Sequence, residues 1–386
     1  MRTEYPLQLK VNSVTEMKVA IDATALLLPS AGVKNYVHYW LRSLEEAVKG
    51  GRDTIVTYPR NIRRPPILDH QKSSLRAALT LRLVQFYNIR RNPLIGLSVW
   101  GADVFHASQH VANLPMGMKI TATIFDLSCW ACPEYHTAKN VAATRRYGEK
   151  ILKACDGLIA ISAHARRDAM EILKIPAERI RVIYPGVAEP FYAATAEDAR
   201  RVGAKYGLHG PYLLFVGCVE PRKNVPNLIR AYRRLPEAVR RGAELVVAGP
   251  FGWADDEVRG MLRGGGGVRY LGYVPEGDLP GLYGGAAALA YPSYYEGFGL
   301  PAAQAMAAGV PVIASNRSCL PEVIGNAGVL VDPSSVEELS EAIVRVLTNP
   351  TLARELAAAG RTRAAQFHWG RCAEESLGFF REVVGG

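Results

Sequence analysis

Cysteine is scarce in this chain. Six are scattered irregularly over 386 residues, which excludes the disulfide framework of a small secreted domain. Cys129-Trp-Ala-Cys132 has the two-residue spacing of a redox or zinc pair, but no second pair matches it. The expectation is packing cysteines in a reducing cytoplasm and no metal site. No Asp-x-Asp pair occurs, so the usual carboxylate clamp for a metal–diphosphate complex is missing and metal-independent chemistry is expected. Gly-x-Gly-x-x-Gly is absent too, which argues against a dinucleotide cofactor; no other cofactor is expected. No apolar run reaches the ~18 residues of a membrane span. Met1-Arg-Thr-Glu-Tyr-Pro6 lacks the apolar core of a signal peptide, and about the first 16 residues read as polar and loose. A cytoplasmic location follows as the expectation, with peripheral contact at the inner membrane surface for the reason given below.

What is present is a repeated alternation of short apolar runs and helical patterns. In the first half the strand-like runs are Lys18–Ile21, Thr54–Tyr58, Asp103–His106, Lys119–Phe125, Gly157–Ile161 and Arg181–Tyr184. In the second half they are Tyr212–Val216, Glu244–Ala248, Val268–Leu271, Ala287–Tyr291, Val312–Ala314 and Val329–Val331. Short apolar runs between helices predict parallel sheets covered on both faces. The length suits two or three domains, each with its own core. Composition shifts to Pro, Gly and small polar residues over Pro185–Gly210, where a domain break is expected. The fold class is therefore α/β, with two doubly wound parallel-sheet domains facing a cleft and ligands at the carboxyl ends of the strands.

Two segments carry chemistry. Ser293-Tyr-Tyr-Glu-Gly-Phe-Gly-Leu-Pro301 joins a strand-like run to the helix-like run Ala302–Ala308. Gly297 and Gly299 would let backbone approach a ligand, and Pro301 suits a helix start. The N–H groups near Gly299 and Leu300 would then face a phosphate at the positive end of the helix dipole. Glu296 stands before this mouth, and Gln304 in the first turn would lean back toward it. The second segment is Gly217-Cys-Val-Glu-Pro-Arg-Lys-Asn224, between the strand-like run Tyr212–Val216 and the helix-like run Val225–Arg234. Arg222 as a fork and Lys223 as a point charge suit a diphosphate. Anion-binding backbone beside hydroxyl-reading side chains points to a sugar nucleotide.

On the first-domain side, Gly32 follows the first strand and would bring backbone to the donor phosphates from across the cleft. His106 and Asp126 both end strand-like runs. Asp126 is the better cleft candidate, while His106 reads equally as a core histidine. From Arg60 to Asn92, eight Lys or Arg face one acidic residue, Asp69, and Leu75, Leu79, Leu83 and Phe86 share a helical face. A core-packed helix and a surface for anionic membrane are equal readings of that segment. Nucleic acid is not expected as a partner, since no stacking set of aromatics interleaves the cations.

The chain resembles the family 4 retaining glycosyltransferases of the GT-B fold. The likeness runs through Ile21-Asp22 with Gly32-Val33, Ser162 with Ile183-Tyr-Pro-Gly-Val187, Gly217 to Asn224, Leu271-Gly-Tyr-Val274, Glu296 to Gln304, and Gly309-Val-Pro-Val-Ile313. Glu-Gly-Phe-Gly-Leu-Pro, residues 296–301, is the specific part. The resemblance implies an acceptor-side domain over 1–190, a nucleotide-sugar domain over 191–366, and a terminal helix, 367–386, that crosses back. It implies that Arg222 and Lys223 bind the donor diphosphate, that Glu296 contacts the donor sugar, and that Gln304 lies at the ribose position. Backbone at Tyr273 and Val274 would meet the base. Phe298, Gly299, Leu300, Gly217 and Gly32 complete the donor set, and Asp126 joins Arg222, Lys223 and Glu296 as the catalytic set. Two positions depart from the family pattern: Gln304 stands for Glu, and Phe125 for the His before Asp126. The expected activity is retaining transfer of a hexose, with mannose favoured, from a nucleoside diphosphate sugar to a glycan or lipid-linked sugar. The alternative is a non-catalytic nucleotide-sugar-binding protein of the same fold.

Overall fold

The computed structural model describes residues 16–27, 32–60, 98–108, 114–253 and 256–386. The basic amphipathic segment beyond Arg60, the loose N-terminus and the residues just before Gly32 lie outside the described residues.

All twelve apolar runs form strands, each within a residue or two of the expected bounds. The first sheet holds β1 (Lys18–Asp22), β2 (Thr54–Tyr58), β3 (Val104–Ala107), β4 (Lys119–Ile124), β5 (Gly157–Ala160) and β6 (Ile180–Val182). Their order is β2-β1-β3-β4-β5-β6, with every pairing parallel. The second sheet holds β7 (Tyr212–Val216), β8 (Glu244–Ala248), β9 (Val268–Gly272), β10 (Ala288–Tyr291), β11 (Val312–Ser315) and β12 (Gly328–Val331). Its order is β12-β11-β10-β7-β8-β9, again parallel throughout. Strands β3, β5, β10 and β11 are buried along their whole length, which is why they read as continuous apolar runs.

Strand order reverses between β1 and β3 in one sheet and between β7 and β10 in the other. Crevices open at the carboxyl ends of strands at such switch points. The loops after β7 and β10, residues 217–224 and 292–299, are the two segments singled out by their chemistry.

The chain passes between the domains twice, and the crossings touch. Val187 pairs with His368 and donates its N–H to Phe367 O at 2.8 Å. A Cβ on Gly186 would fall 2.2 Å from Trp369 N. The last helix, Trp369–Gly385, then packs on the first helix, Gly32–Val48. Trp40 Nε1 donates to Ser376 Oγ at 3.0 Å, and the Trp40 and Phe380 rings lie 6.2 Å apart in the first domain's core. Burial of aromatics of this size contributes about 1.5–3 kcal/mol each. Among the described residues, no helix is long and apolar enough to cross a membrane.

Candidate active site

Beyond β7 the chain makes a tight turn, Pro221–Lys223, and Asn224 adopts the left-handed conformation at φ 58°. Asparagine tolerates that region because its short amide bonds locally. Here the Asn224 amide donates to Pro292 O at 3.1 Å and Pro333 O at 2.6 Å, tying the β7 loop to its neighbours. Tyr294 N also donates to Arg222 O at 2.9 Å. The two chemical segments are thus laced together by backbone before any side chain is considered.

Arg222, Lys223 and Glu296 meet in a buried cluster. Lys223 Nζ donates to Glu296 Oε1 and to the Tyr291 hydroxyl, both at 2.6 Å. Arg222 lies 3.3 Å from Glu296 Oε2 and donates to Glu220 Oε1 at 2.7 Å and to Tyr295 O. Burial alone would push the Glu296 carboxyl up. The Lys223 and Arg222 charges outweigh it and hold the group down at about 2. Burial likewise opposes the charge on Arg222, but Glu296, Asp126 and Glu220 keep it firmly protonated. The expected bare cation pair is therefore two cations matched by two carboxylates. A diphosphate entering here must take these cations over from Glu296 and Glu220.

The glycine-rich loop also differs from expectation. A Cβ on Gly297 would meet Phe125 O at 1.9 Å, so its close approach is to the first domain's backbone. Gly299, at φ 82°, has Leu320 Cδ2 2.5 Å from where its Cβ would stand. Both glycines thus serve contacts within the protein. Pro301 sits second in the helix Leu300–Ala307, and Ala302 and Ala303 N–H already donate to Gly299 O. Of the first-turn donors, Leu300 N–H has no backbone partner among the described residues and faces the start of the helix. Phe298 is buried against Phe367 at 5.2 Å and Tyr184 at 6.1 Å, an apolar role rather than a ligand-facing one. Gln304 is buried, and its Oε1 accepts from the Tyr283 hydroxyl at 3.2 Å. The side chain is held by its own domain rather than standing open at the mouth.

Gly217, Gly249 and Gly272 form a step of glycines where β7, β8 and β9 end. Gly217 N donates to Ala248 O at 2.9 Å and Gly249 N to Gly272 O at 2.7 Å. A Cβ on Gly249 would overlap Gly217 O at 2.0 Å. Along this step Gly217, Gly272 and Tyr273 are half-buried, and Gly249 and Val274 are buried. Beyond them Glu276 reaches the first domain, accepting from Asn35 Nδ2 at 3.0 Å and Tyr39 hydroxyl at 3.2 Å. Sequence reasoning missed Gly249, Glu220 and Glu276. Ala248-Gly249-Pro250 at a strand end was a readable signal for the first, while the other two depend on tertiary contact.

From the first domain, Ser162 Oγ donates to Gly297 O at 2.7 Å. Glu322 of the second domain caps the helix Ala163–Ile172, accepting from Ala163 N at 2.6 Å and His164 N at 3.0 Å. Asp126 accepts from Ser128 N at 3.0 Å and Ser128 Oγ at 2.7 Å, turning the chain into a short helix while its charge acts on Arg222. His106 is a core residue. Its two ring nitrogens each bond a threonine hydroxyl, Thr121 and Thr123, at 2.9 Å, and burial pushes it down to about 3, so it stays neutral. Phe125 packs edge-on against Tyr36 at 5.0 Å, beside a cavity that also includes Asp22, Trp40 and Ser108 at the first switch point. Gly32 begins the first helix at the surface, with open space where a Cβ would be. Cys129 and Cys132 are buried free thiols, and burial pushes Cys132 up to about 12.

Two facing parallel sheets with a charged cluster at the second sheet's switch point define a GT-B glycosyltransferase architecture. Residues 30–189 match the family model described as Glycosyltransferase Family 4, and residues 201–363 match Glycosyl transferases group 1. The chain belongs to this glycosyltransferase family. It is similar to an O-antigen chain mannosyltransferase B from Escherichia coli, 35% identical over 273 residues covering 69% of this chain and 72% of that protein. Among solved structures it superposes on sucrose-phosphate synthase from Thermosynechococcus elongatus with a TM-score of 0.72 at 22% identity, covering 96% and 100% of the two chains. The Anabaena protein HepE, solved in complex with UDP-glucose, gives 0.68 at 17% identity, covering 94% and 100%.

Proposed function

We propose that this glycosyltransferase moves a mannose from a nucleoside diphosphate sugar to a growing glycan or lipid-linked sugar, with retention of anomeric configuration. The observation that carries the reading is the Arg222–Lys223–Glu296 cluster at the β7/β10 switch point. Arg222 and Lys223 have the charge and the charge-assisted donors that a leaving diphosphate requires. Glu296, released from its cations by the incoming phosphates, is free to orient the sugar hydroxyls. Leu300 N–H adds a backbone donor at a helix start. The mannosyltransferase relative supports the sugar, and the UDP-glucose complex of HepE supports a sugar nucleotide as donor. Retention rests on the family resemblance. On that course the acceptor attacks from the side the diphosphate leaves, and the leaving phosphate takes the acceptor proton. No separate protein base is then required, and Asp126 acts through its charge on Arg222.

The acceptor would enter from the first domain near Asp22 and Ser108. The basic segment 60–92 extends the reading to a lipid-linked acceptor met at an anionic membrane surface, which vesicle co-sedimentation at low salt tests. The experiment for the main reading is a calorimetric screen of GDP-mannose, UDP-glucose and UDP-N-acetylglucosamine, with Lys223→Ala as control. Tight binding of one donor that the substitution abolishes supports the assignment, and binding of none refutes it. Binding without turnover across a broad acceptor panel favours the non-catalytic alternative, to which Phe125 and Gln304 lend weight.

A further inference from the structure

A second histidine stands at the seam between the domains. His136 lies just past the turn Pro133–Tyr135, to which its N–H is bonded through Pro133 O at 3.0 Å. Three contacts fix this turn against the second domain. The Tyr135 ring stacks on Tyr294 at 5.1 Å and 9°, Trp253 Nε1 donates to Tyr135 O at 2.7 Å, and the His136 and Trp253 rings lie 5.9 Å apart. Tyr294 is in turn bonded through its backbone to Arg222. So the turn that carries His136 packs on the segment bonded to Arg222, and the Arg222 charge acts on the imidazole.

Its Nε2 is closed off from solvent and has no hydrogen-bond partner among the described residues. Arg222 Nε is in the same condition. Buried polar atoms without partners are rare in folded proteins, because each forfeits the hydrogen bonds it made to water. Two of them, on a histidine and an arginine whose charges act on one another, lack the same thing. An oxyanion placed between them would satisfy both. The side chains at the end of β4 do not offer a rival donor: Phe125 is apolar, and Asp126 is an acceptor engaged by Ser128.

We propose that His136 is a donor-binding residue, its Nε2 donating a hydrogen bond to an oxygen of the sugar nucleotide's diphosphate alongside Arg222. The inference rests on the donor site proposed above. It carries a consequence for protons. In the free protein, burial and then the Arg222 charge hold the imidazole below its ordinary range, against the opposing pull of Asp126, Glu220 and Glu134. It is therefore neutral near pH 7. The diphosphate brings negative charge to the same spot and offsets the field of Arg222, so the imidazole takes up a proton from solvent as the donor binds. Affinity then falls as pH rises, because protonation of the bound state becomes harder.

The test is titration calorimetry of GDP-mannose and UDP-glucose in Hepes and in Tris, whose ionisation heats differ. These diphosphate diesters carry no ionisation of their own near neutrality, so the buffer dependence reports protons taken up by the protein. The wild type is expected to take up a fraction of a proton near pH 7.5. His136→Gln should abolish that uptake and weaken binding about tenfold, as loss of one charge-assisted hydrogen bond implies. Equal affinity in the variant, or uptake that survives the substitution, overturns the assignment while leaving the donor site standing. Binding of neither nucleotide by the wild type removes the donor site and this inference together. Should His136→Gln not fold, the wild type alone decides. Affinity falling between pH 6 and 8 and then levelling off is expected, and a flat profile refutes the role.

Discussion

Replacing Glu296 by Gln keeps the shape of the side chain and removes one charge from the cluster. The carboxyl is held at about 2 against an ordinary value of 4.5. That depression corresponds to about 3 kcal/mol of folding stability at neutral pH. A second route gives a similar figure. Removing one partner of a buried ion pair leaves an uncompensated charge and typically costs about 3–5 kcal/mol. Here Glu220 still faces Arg222, and Lys223 keeps the Tyr291 hydroxyl and an amide oxygen to donate to, so the lower end applies. The sign with pH is fixed, because a depressed carboxyl stabilises above its unfolded pKa and loses that contribution as pH falls toward the folded one. The deficit of Glu296→Gln should therefore be full at pH 7 and about half as large near pH 3. Urea unfolding followed by fluorescence at both pH values measures it. An unchanged midpoint at pH 7, or a deficit that does not shrink in acid, would refute the charge-pair account.

Lys223→Ala should lower transfer at least tenfold at saturating donor, and unchanged turnover would remove lysine from the leaving-group site. Gly297→Ala would set a methyl 1.9 Å from Phe125 O and so wedge the domains apart. Small-angle scattering should then give a larger radius of gyration with activity lost, and an identical radius would show that the loop simply yields. His106 should remain neutral down to about pH 3. Its imidazole resonances should not titrate between pH 5 and 8. Because the unfolded state binds a proton that the folded state refuses, stability should fall by about 1.4 kcal/mol per pH unit below pH 6.5, a slope that His106→Gln removes.

The twelve strands were legible because parallel strands buried on both faces need apolar residues at every position, and runs such as Tyr212-Leu-Leu-Phe-Val216 have no other use. The two segments that follow β7 and β10 were legible because glycine, proline and paired cations at a strand end mark a backbone held for a special purpose. What those residues touch was not. Gly297 announced a close approach, but whether to a ligand or to Phe125, far away in the chain, is decided by how the domains meet. The Arg222–Lys223 pair read as positive because its neighbour in sequence is visible, while the balancing Glu296 arrives from the loop after β10. His136 gave no signal at all. Its environment comes from Trp253 and Tyr294, which only tertiary packing brings to it.

The two crossings between the domains lie side by side, fastened by Val187 and Phe367 and by the close fit of Gly186 to Trp369. Domains tethered by one strand can swivel freely, but a pair of strands bonded to each other acts as a flat strap. Such a strap bends easily across its width and resists both twisting and sideways shear. It favours a single swing about the line through residues 186–187 and 367–369. Any opening about that line retraces one path, so Gly297 returns to Ser162 and Phe125 without a search over orientations.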